Sequence, residues 1–434
     1  VLWLLANHPD LTPASILGLT FTRKAAGELG DRLRERIRLL SREMPQMRER
    51  LDEDPVALTY NSFAERIVSE HGMRIGIDPD FSMLSEAGAL DLMTQVVEAW
   101  PTDLDEELRP IDAVPQVLHL AGELAEHGFT VERAREALEE LGRELSQVGD
   151  TNVEARNLLR ANRRRLAFLG PIATYQQRKR EMGVLDFSDQ LVLATRIVRE
   201  APAVRAALRE EFRAVLLDEF QDTSVIQMEL LSTLFGDHAV TAVGDPNQAI
   251  YGWRGASASS LETFLDRFQS GAPEAGQTLT LSTAWRNDVS ILDAANRVAA
   301  PLREVASYQQ GKDALKAQSP VLVPRKGAGQ GSVEIAYTQV YEDALAATVD
   351  FVKRVRSQAT KEGKRRTVAV LSRRRKDFPF IDAALREAGI PTEIVGLGGL
   401  LDQPAVQDVR AALELAYDVA ASPWLARLLA GIDL

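Results

Sequence analysis

The 434-residue chain contains no cysteine, which excludes disulfides and thiolate metal sites and fits a reducing compartment. Its five histidines show no metal-ligand spacing, so no structural zinc is expected. No apolar run approaches the roughly 18 residues that a membrane span requires. The first residue is Val1 rather than Met, inside an amphipathic run with no basic region before it to suggest a signal peptide. The expectation is a cytoplasmic protein with no membrane partner, whose natural start lies upstream. Positive charge is in deficit, with 51 Lys and Arg against 63 Asp and Glu for a net charge of -12. Phosphate binding draws largely on Lys and Arg, so a surface that is basic all round is excluded. A local basic groove with aromatic faces is not. Basic clusters occur at Arg163 to Arg165, Arg178 to Arg180, Lys364 to Arg366 and Arg373 to Lys376; each by itself reads first as a solvated face.

What is present is the punctuation of a parallel α/β protein. Short apolar runs at Ile16 to Thr20, Ala214 to Leu217, Ala239 to Val243 and Thr367 to Leu371 each end in small or acidic residues and lead into helical periodicity. From about Ser85 to Lys179 the pattern changes to long Leu/Ala/Glu/Arg stretches such as Val131 to Leu145 and Val153 to Phe168, which predicts an inserted all-helical domain. Strand and helix patterns resume after Leu281, and Pro320 to Gly331 reads as a loop. The expected division is 1–80 and 181–281 for a first α/β domain, 81–180 for the helical insert and 282–434 for a second, partial α/β domain.

Chemistry concentrates at two strand ends. Ala214-Val-Leu-Leu-Leu-Asp-Glu-Phe-Gln-Asp-Thr223 delivers two adjacent carboxylates where open α/β sheets bind ligands. There Asp218 suits a Mg²⁺ ion held through its water shell, and Glu219 suits polarisation of a water that attacks a γ-phosphate. A solvated loop after a strand would explain the pair alone equally well. The next strand runs into Gly244-Asp-Pro-Asn-Gln-Ala-Ile-Tyr-Gly-Trp-Arg-Gly-Ala256. Gln248 can hydrogen-bond a phosphate oxygen or the attacking water, and Tyr251 and Trp253 offer flat faces for stacking bases; an isolated tryptophan would otherwise read as core.

Together these two strings resemble motifs II and III of the UvrD/Rep-type superfamily 1 DNA helicases. Leu19-Thr-Phe-Thr-Arg-Lys-Ala-Ala26 is similar to motif Ia and Thr59-Tyr-Asn-Ser-Phe63 to motif Ib. Ser282-Thr-Ala-Trp-Arg-Asn287 is similar to motif IV, and Gly396-Leu-Gly-Gly-Leu-Leu-Asp402 stands where the family carries motif IVa. The resemblance implies RecA-like P-loop NTPase domains, ATP and Mg²⁺ as cofactors, and ATP-driven 3′-to-5′ movement on single-stranded DNA with strand separation, in repair or recombination. It implies DNA contacts at Phe21, Thr22, Arg23, Lys24, Thr59, Asn61, Ser62, Tyr251, Trp253 and Arg254. Asn61 stands where the family usually has His, and can still donate to a phosphate. The resemblance also implies an arginine finger at Arg286 and, at Trp285, an aromatic near the adenine where the family usually has Tyr.

One family signature has no counterpart. No Gly-x-x-x-x-Gly-Lys-Ser/Thr string occurs in the chain, although the family needs that phosphate-cradling loop, and the late motifs find no match before Leu434. The expectation is that the loop precedes Val1 and that these residues alone hydrolyse ATP poorly. A helicase subunit of a RecB- or AddA-like helicase–nuclease, working with a repair partner, fits the same motifs. A non-catalytic DNA-binding module is the reading of a different class.

Overall fold

The computed structural model describes all residues except 79, 106–107, 148–152, 253–254, 257–259, 269–275, 309–318, 359–362, 364, 396–403, 418–423, 425–426 and 429–434. α1 (Leu2–Asn7) leads into β1 (Ile16–Thr20), α2 (Arg23–Glu43), β2 (Val56–Thr59), α3 (Tyr60–His71) and β3 (Ser82–Met83). Four helices follow, α4 (Glu86–Glu98), α5 (Pro110–Glu126), α6 (Val131–Gln147) and α7 (Val153–Met182). The chain continues through β4 (Val184–Leu185), α8 (Phe187–Glu200), α9 (Pro202–Glu211), β5 (Ala214–Leu217), α10 (Val225–Phe235), β6 (Val240–Ala242) and α11 (Phe264–Phe268). Last come β7 (Thr283–Ala284), α12 (Val289–Tyr308), β8 (Val323–Pro324), α13 (Tyr341–Ser357), α14 (Phe378–Glu387) and α15 (Pro404–Tyr417). Two compact units divide these elements, Val1–Gln330 and Gly331–Leu434.

The first unit is organised by a four-stranded sheet of order β2-β1-β5-β6, parallel throughout. Side chains alternate across a strand, and both faces of β1 and β5 are covered. Ile16 and Ala214 point into a cluster with Leu5, Ile37 and Leu51. Leu17, Leu19, Val215 and Leu217 point into the larger core with Phe63, Ile67, Leu191, Phe212 and Leu231. Burial on both faces explains why these strands read as unbroken apolar runs rather than as alternating ones.

The helical insert has a core of its own, in which Met93 and Val96 of α4, Val114 and Val117 of α5, and Leu169 and Ile172 of α7 meet. α7 lies close to the segment just past α4 at Gly170, where an added Cβ would stand 2.5 Å from the Trp100 ring. The chain enters and leaves this region through β3 and β4, which pair in parallel with Ser82 opposite Val184 and Met83 opposite Leu185. A buried ammonium bolts the exit. Lys179 Nζ lies 2.5 Å from Asp186 Oδ2 and 2.6 Å from Asp189 Oδ2, and 4.7 Å from the centre of the Tyr175 ring. The middle member of the Arg178 to Arg180 cluster is therefore neither a solvated charge nor a phosphate contact. Burial raises the Asp189 carboxyl, against the pull of Lys179.

Beyond β6, the expected loop at Pro320 to Gly331 contains β8, which pairs in parallel with β7. Asn296 of α12 holds β8 by donating to the Leu322 carbonyl and accepting its amide, both at 2.9 Å. The first compact unit runs on to Gln330, and within it the Ser319 hydroxyl donates to Asp245 Oδ1.

In the second unit Val352, Leu385 and Ile390 form a small core, with Val368 and Ile381 packed against it. Thr367 to Leu371, expected as a strand, is extended but unladdered among the described residues. Only Val368 of that run joins the core, whereas Leu371 is 92% exposed, and no strand among the described residues pairs with it.

Candidate nucleotide and DNA-binding site

The carboxyl edge of the sheet is fixed by backbone bonds before any side chain is considered. The Asp218 amide donates to the Leu19 carbonyl at 2.8 Å and the Phe220 amide to the Val243 carbonyl at 3.0 Å. The turn between them forces Glu219 to φ 50°, the one positive φ at a non-glycine position among the described residues. Such a conformation costs an L-residue about 1–2 kcal/mol, so the fold around it holds a strained carboxylate at the surface. Asp218 and Glu219 are exposed, whereas Phe220, Gln221 and Asp222 behind them are buried. Although Asp218 reaches solvent, the protein packed around it withdraws enough water to raise its carboxyl, and the charge of Glu219 adds to it. Asp222 is raised by burial too. The Tyr60 hydroxyl, which burial keeps firmly protonated, donates to the Asp218 carbonyl at 3.0 Å.

The loop after β6 is joined to this turn by one side chain. Gln221 donates from Nε2 to Glu219 Oε2 at 2.8 Å and accepts on Oε1 from the Asp245 amide at 3.1 Å. Asp245 in turn accepts from the Asn247 amide at 3.0 Å and from Gln248 Nε2 at 2.8 Å. Burial works to raise the Asp245 carboxyl, but bonds from Ser319, Gln248 and Asn247 outweigh it and leave it below the usual range. Gln248 is exposed beside Glu219's strand edge, with its amide carbonyl not among the bonds that anchor it.

Phe21 and Tyr251, 230 positions apart in sequence, lie with ring centroids 4.5 Å apart and planes tilted by 31°. Beside Phe21 opens a cleft of about 390 Å³ that also takes in Arg23, Thr59, Asn61 and Ser62. Two helix starts shape it. Thr22 caps α2, its hydroxyl oxygen accepting from the Ala25 amide at 3.1 Å, and this leaves Arg23 and Lys24 exposed at the first turn. Thr59 caps α3 by accepting from the Ser62 amide at 3.0 Å while donating to Ser62 Oγ at 2.9 Å. Its hydroxyl is thus committed to holding the helix start. Asn61 Oδ1 accepts from Gln227 Nε2 at 3.2 Å, and Gln227 Oε1 accepts from the Ser224 amide at 3.0 Å. That relay leaves the Asn61 NH₂ as a donor.

The cleft contains residues the motifs did not point to: Glu65, Glu126, Phe187, Gln190, Ser224 and Gln227. Phe187 alone had a sequence signal. It follows Asp186 in an Asp-x-x-Asp capping box and is exposed at the first position of α8. Glu126 comes from the helical insert, whose distance in sequence hid it.

Trp285 and Arg286, just past β7, are exposed. Trp253, Arg254 and the stretch Gly396 to Asp402 lie outside the described residues. Among the described residues no three His, Cys, Asp or Glu side chains converge as a metal cage, and no helix is long and apolar enough to cross a membrane.

Comparison with known proteins agrees with this architecture. Residues 1–269 match the model of the UvrD/REP helicase N-terminal domain. The chain is 25% identical over 418 residues to DNA helicase II of Escherichia coli, covering 96% of this chain and 49% of that protein. It is 24% identical over 416 residues to DNA helicase II of Salmonella typhimurium, with the same coverages of 96% and 49%. It is 25% identical over 417 residues to the ATP-dependent DNA helicase PcrA of Leuconostoc citreum, covering 95% of this chain and 47% of that protein. The chain spans about half the length of these curated relatives. A parallel sheet with acidic and amide-bearing loops at its carboxyl edge, and a family match over that whole sheet, make this a P-loop NTPase fold with a helical insertion. The chain belongs to the UvrD/REP helicase N-terminal domain family.

Proposed function

We propose that the protein is an ATP-dependent DNA helicase motor that moves 3′-to-5′ along single-stranded DNA, in repair or recombination. The observation that carries this reading is the Phe21–Tyr251 ring pair at the cleft, tied by the loop after β6 to the acidic turn after β5. An aromatic platform for bases and a pair of carboxylates for phosphate chemistry then share one sheet edge. Stacking on such a platform is worth about 1–3 kcal/mol per base and is indifferent to sequence, which suits a translocating protein. The amides at the α2 start, with Arg23 and Lys24, suit the DNA phosphates, and the Asn61 NH₂ offers a further donor.

The acidic turn fits Mg²⁺ and ATP in a specific way. With no third metal-ligating side chain nearby among the described residues, a magnesium ion here would be held by Asp218, water and phosphate oxygens, its usual manner with nucleotides. Bound ATP and Mg²⁺ would supply a γ-phosphoryl group whose transfer to water drives the cycle. Glu219 accepts the proton of the attacking water, Gln248 orients that water or a phosphate oxygen, and Arg286 stabilises the charge that develops. Trp285 contributes a flat face for the adenine. The 434 residues contain no phosphate-cradling glycine loop, so by themselves they are expected to bind DNA without turning over ATP.

The test is ATP hydrolysis by the gene product at its natural length, with and without oligothymidylate, together with unwinding of duplexes carrying a 3′ or a 5′ tail. Strong stimulation and unwinding from the 3′ tail are expected. Oligothymidylate binding without stimulation would replace this reading with that of a non-catalytic DNA-binding module.

A further inference from the structure

We propose that Gln221 is a positioning residue that ties the orientation of the Glu219 carboxylate to the loop carrying Asp245, Gln248 and Tyr251, so that DNA stacked at Phe21 and Tyr251 is felt at the hydrolytic carboxylate. This rests on the function proposed above and adds how its two halves communicate.

Gln221 is 1% exposed, and both ends of its amide are used. Nε2 donates to Glu219 Oε2 and Oε1 accepts from the Asp245 amide. The two partners fix which end is which, because a carboxylate only accepts and a backbone amide only donates. No slack exists around it. A Cβ on Gly244 would stand 2.5 Å from Gln221 Oε1 and 3.2 Å from the Gln221 amide, so the loop after β6 lies directly on this side chain.

Other contacts among the described residues join the two loops without touching Glu219, among them the bridge between Ser224 and Ala256. The Phe220 amide bonds the Val243 carbonyl, which fixes the strands but not the loop beyond. The Ile250 amide reaches Asp222 Oδ1 at 3.4 Å, a longer bond that bypasses Glu219. Among the described contacts, the one that reaches the Glu219 carboxylate from the loop carrying exposed Gln248 and half-buried Tyr251 runs through Asp245 and Gln221. Coupling between sites needs an element with two discrete arrangements. The Glu219 side chain supplies it, by accepting from Gln221 Nε2 or releasing it, on a backbone that the turn holds at φ 50°.

The test is amide hydrogen exchange of this chain with and without oligothymidylate, following peptides over 20–24, 218–223 and 246–252. In the wild type, DNA slows exchange in all three. In Gln221→Met, which keeps the side chain's size and loses both bonds, slowing persists at 20–24 and 246–252 but falls about fivefold or more at 218–223, the lower range of measured site-to-site couplings. Gly244→Ala, which leaves Gln221 chemically intact but displaces it, gives the same result and stands in if the first variant does not fold. Undiminished slowing at 218–223 in the variants, or none there in the wild type, overturns the role of Gln221 and leaves the DNA-binding reading untouched. No slowing anywhere in the wild type overturns that reading and the coupling with it.

Discussion

The turn after β5 and the loop after β6 leave adjacent strands of one sheet, yet they are built on opposite plans. Behind the exposed acids of the first, Phe220, Gln221 and Asp222 are buried, and the Phe220 ring lies 5.3 Å from Phe264 and 6.3 Å from Phe268. The second presents Gln248 and Ile250 to solvent and is held chiefly by the bonds around Asp245. One is anchored in the core and strained; the other is held by polar bonds at a more exposed surface. A sheet edge can thus hold reacting groups on one strand while the neighbouring strand carries a more exposed surface for a ligand.

The sharpest way to break the comparison is chemical. In the hydrolysing protein Glu219→Gln removes the proton acceptor but keeps the shape, and turnover should fall by about 10²–10⁴, the usual worth of a general base, while ATP binding measured by equilibrium titration stays intact. Unwinding at a normal rate would show that Glu219 is not the base. The anchoring itself is tested by Phe220→Ala, which removes a fully buried ring and should cost about 3–5 kcal/mol, read from the urea midpoint. The corresponding truncation on the more exposed side, Tyr251→Ala, should leave the urea midpoint nearly unchanged and weaken oligothymidylate binding by about 1–3 kcal/mol, read by fluorescence anisotropy. Equal stability losses from both would erase the distinction between the loops.

The smallest effect concerns Asp218. Its folded pKa is raised by burial and by Glu219, so the folded state holds the proton more tightly than the unfolded chain does. Stability on this account is greatest below the unfolded pKa and declines as pH rises through the folded one. Asp218→Asn should then raise the thermal midpoint slightly at neutral pH and flatten the acid limb of the stability profile, even as it removes the metal-holding group. An unchanged or lowered midpoint would mean that the carboxylate is better compensated than its surroundings suggest.

The sheet and its acidic edge were legible because each carries a local signal. Ile16 to Leu19 and Ala214 to Leu217 are unbroken by polar residues, as strands buried on both faces tend to be, and Asp218 follows directly. Thr22 was legible as a helix cap from residue type alone. Other features depend on neighbours that no local pattern specifies. Lys179 reads as one of three surface cations, and only the fold brings Asp186 and Asp189 against it. Thr367 to Leu371 has the composition of a strand, but a ladder needs a second strand, and composition does not supply one. Gln227 behind Asn61, and Glu126 reaching the cleft from the insert, are matters of tertiary proximity. The motif strings marked where chemistry gathers; which of their side chains touch one another had to come from the fold.

The side-by-side crossing of β3 and β4 bears on how such a chain can change over evolutionary time. Neighbouring strands stand about 4.8 Å apart, so the hundred or so residues between Met83 and Val184 begin and end almost at one point. They also enclose a core that owes little to the sheet. A segment joined in this way is modular: it can be lengthened, pared down or exchanged for another while the register of β2-β1-β5-β6 and the spacing of the loops at its edge stay as they are.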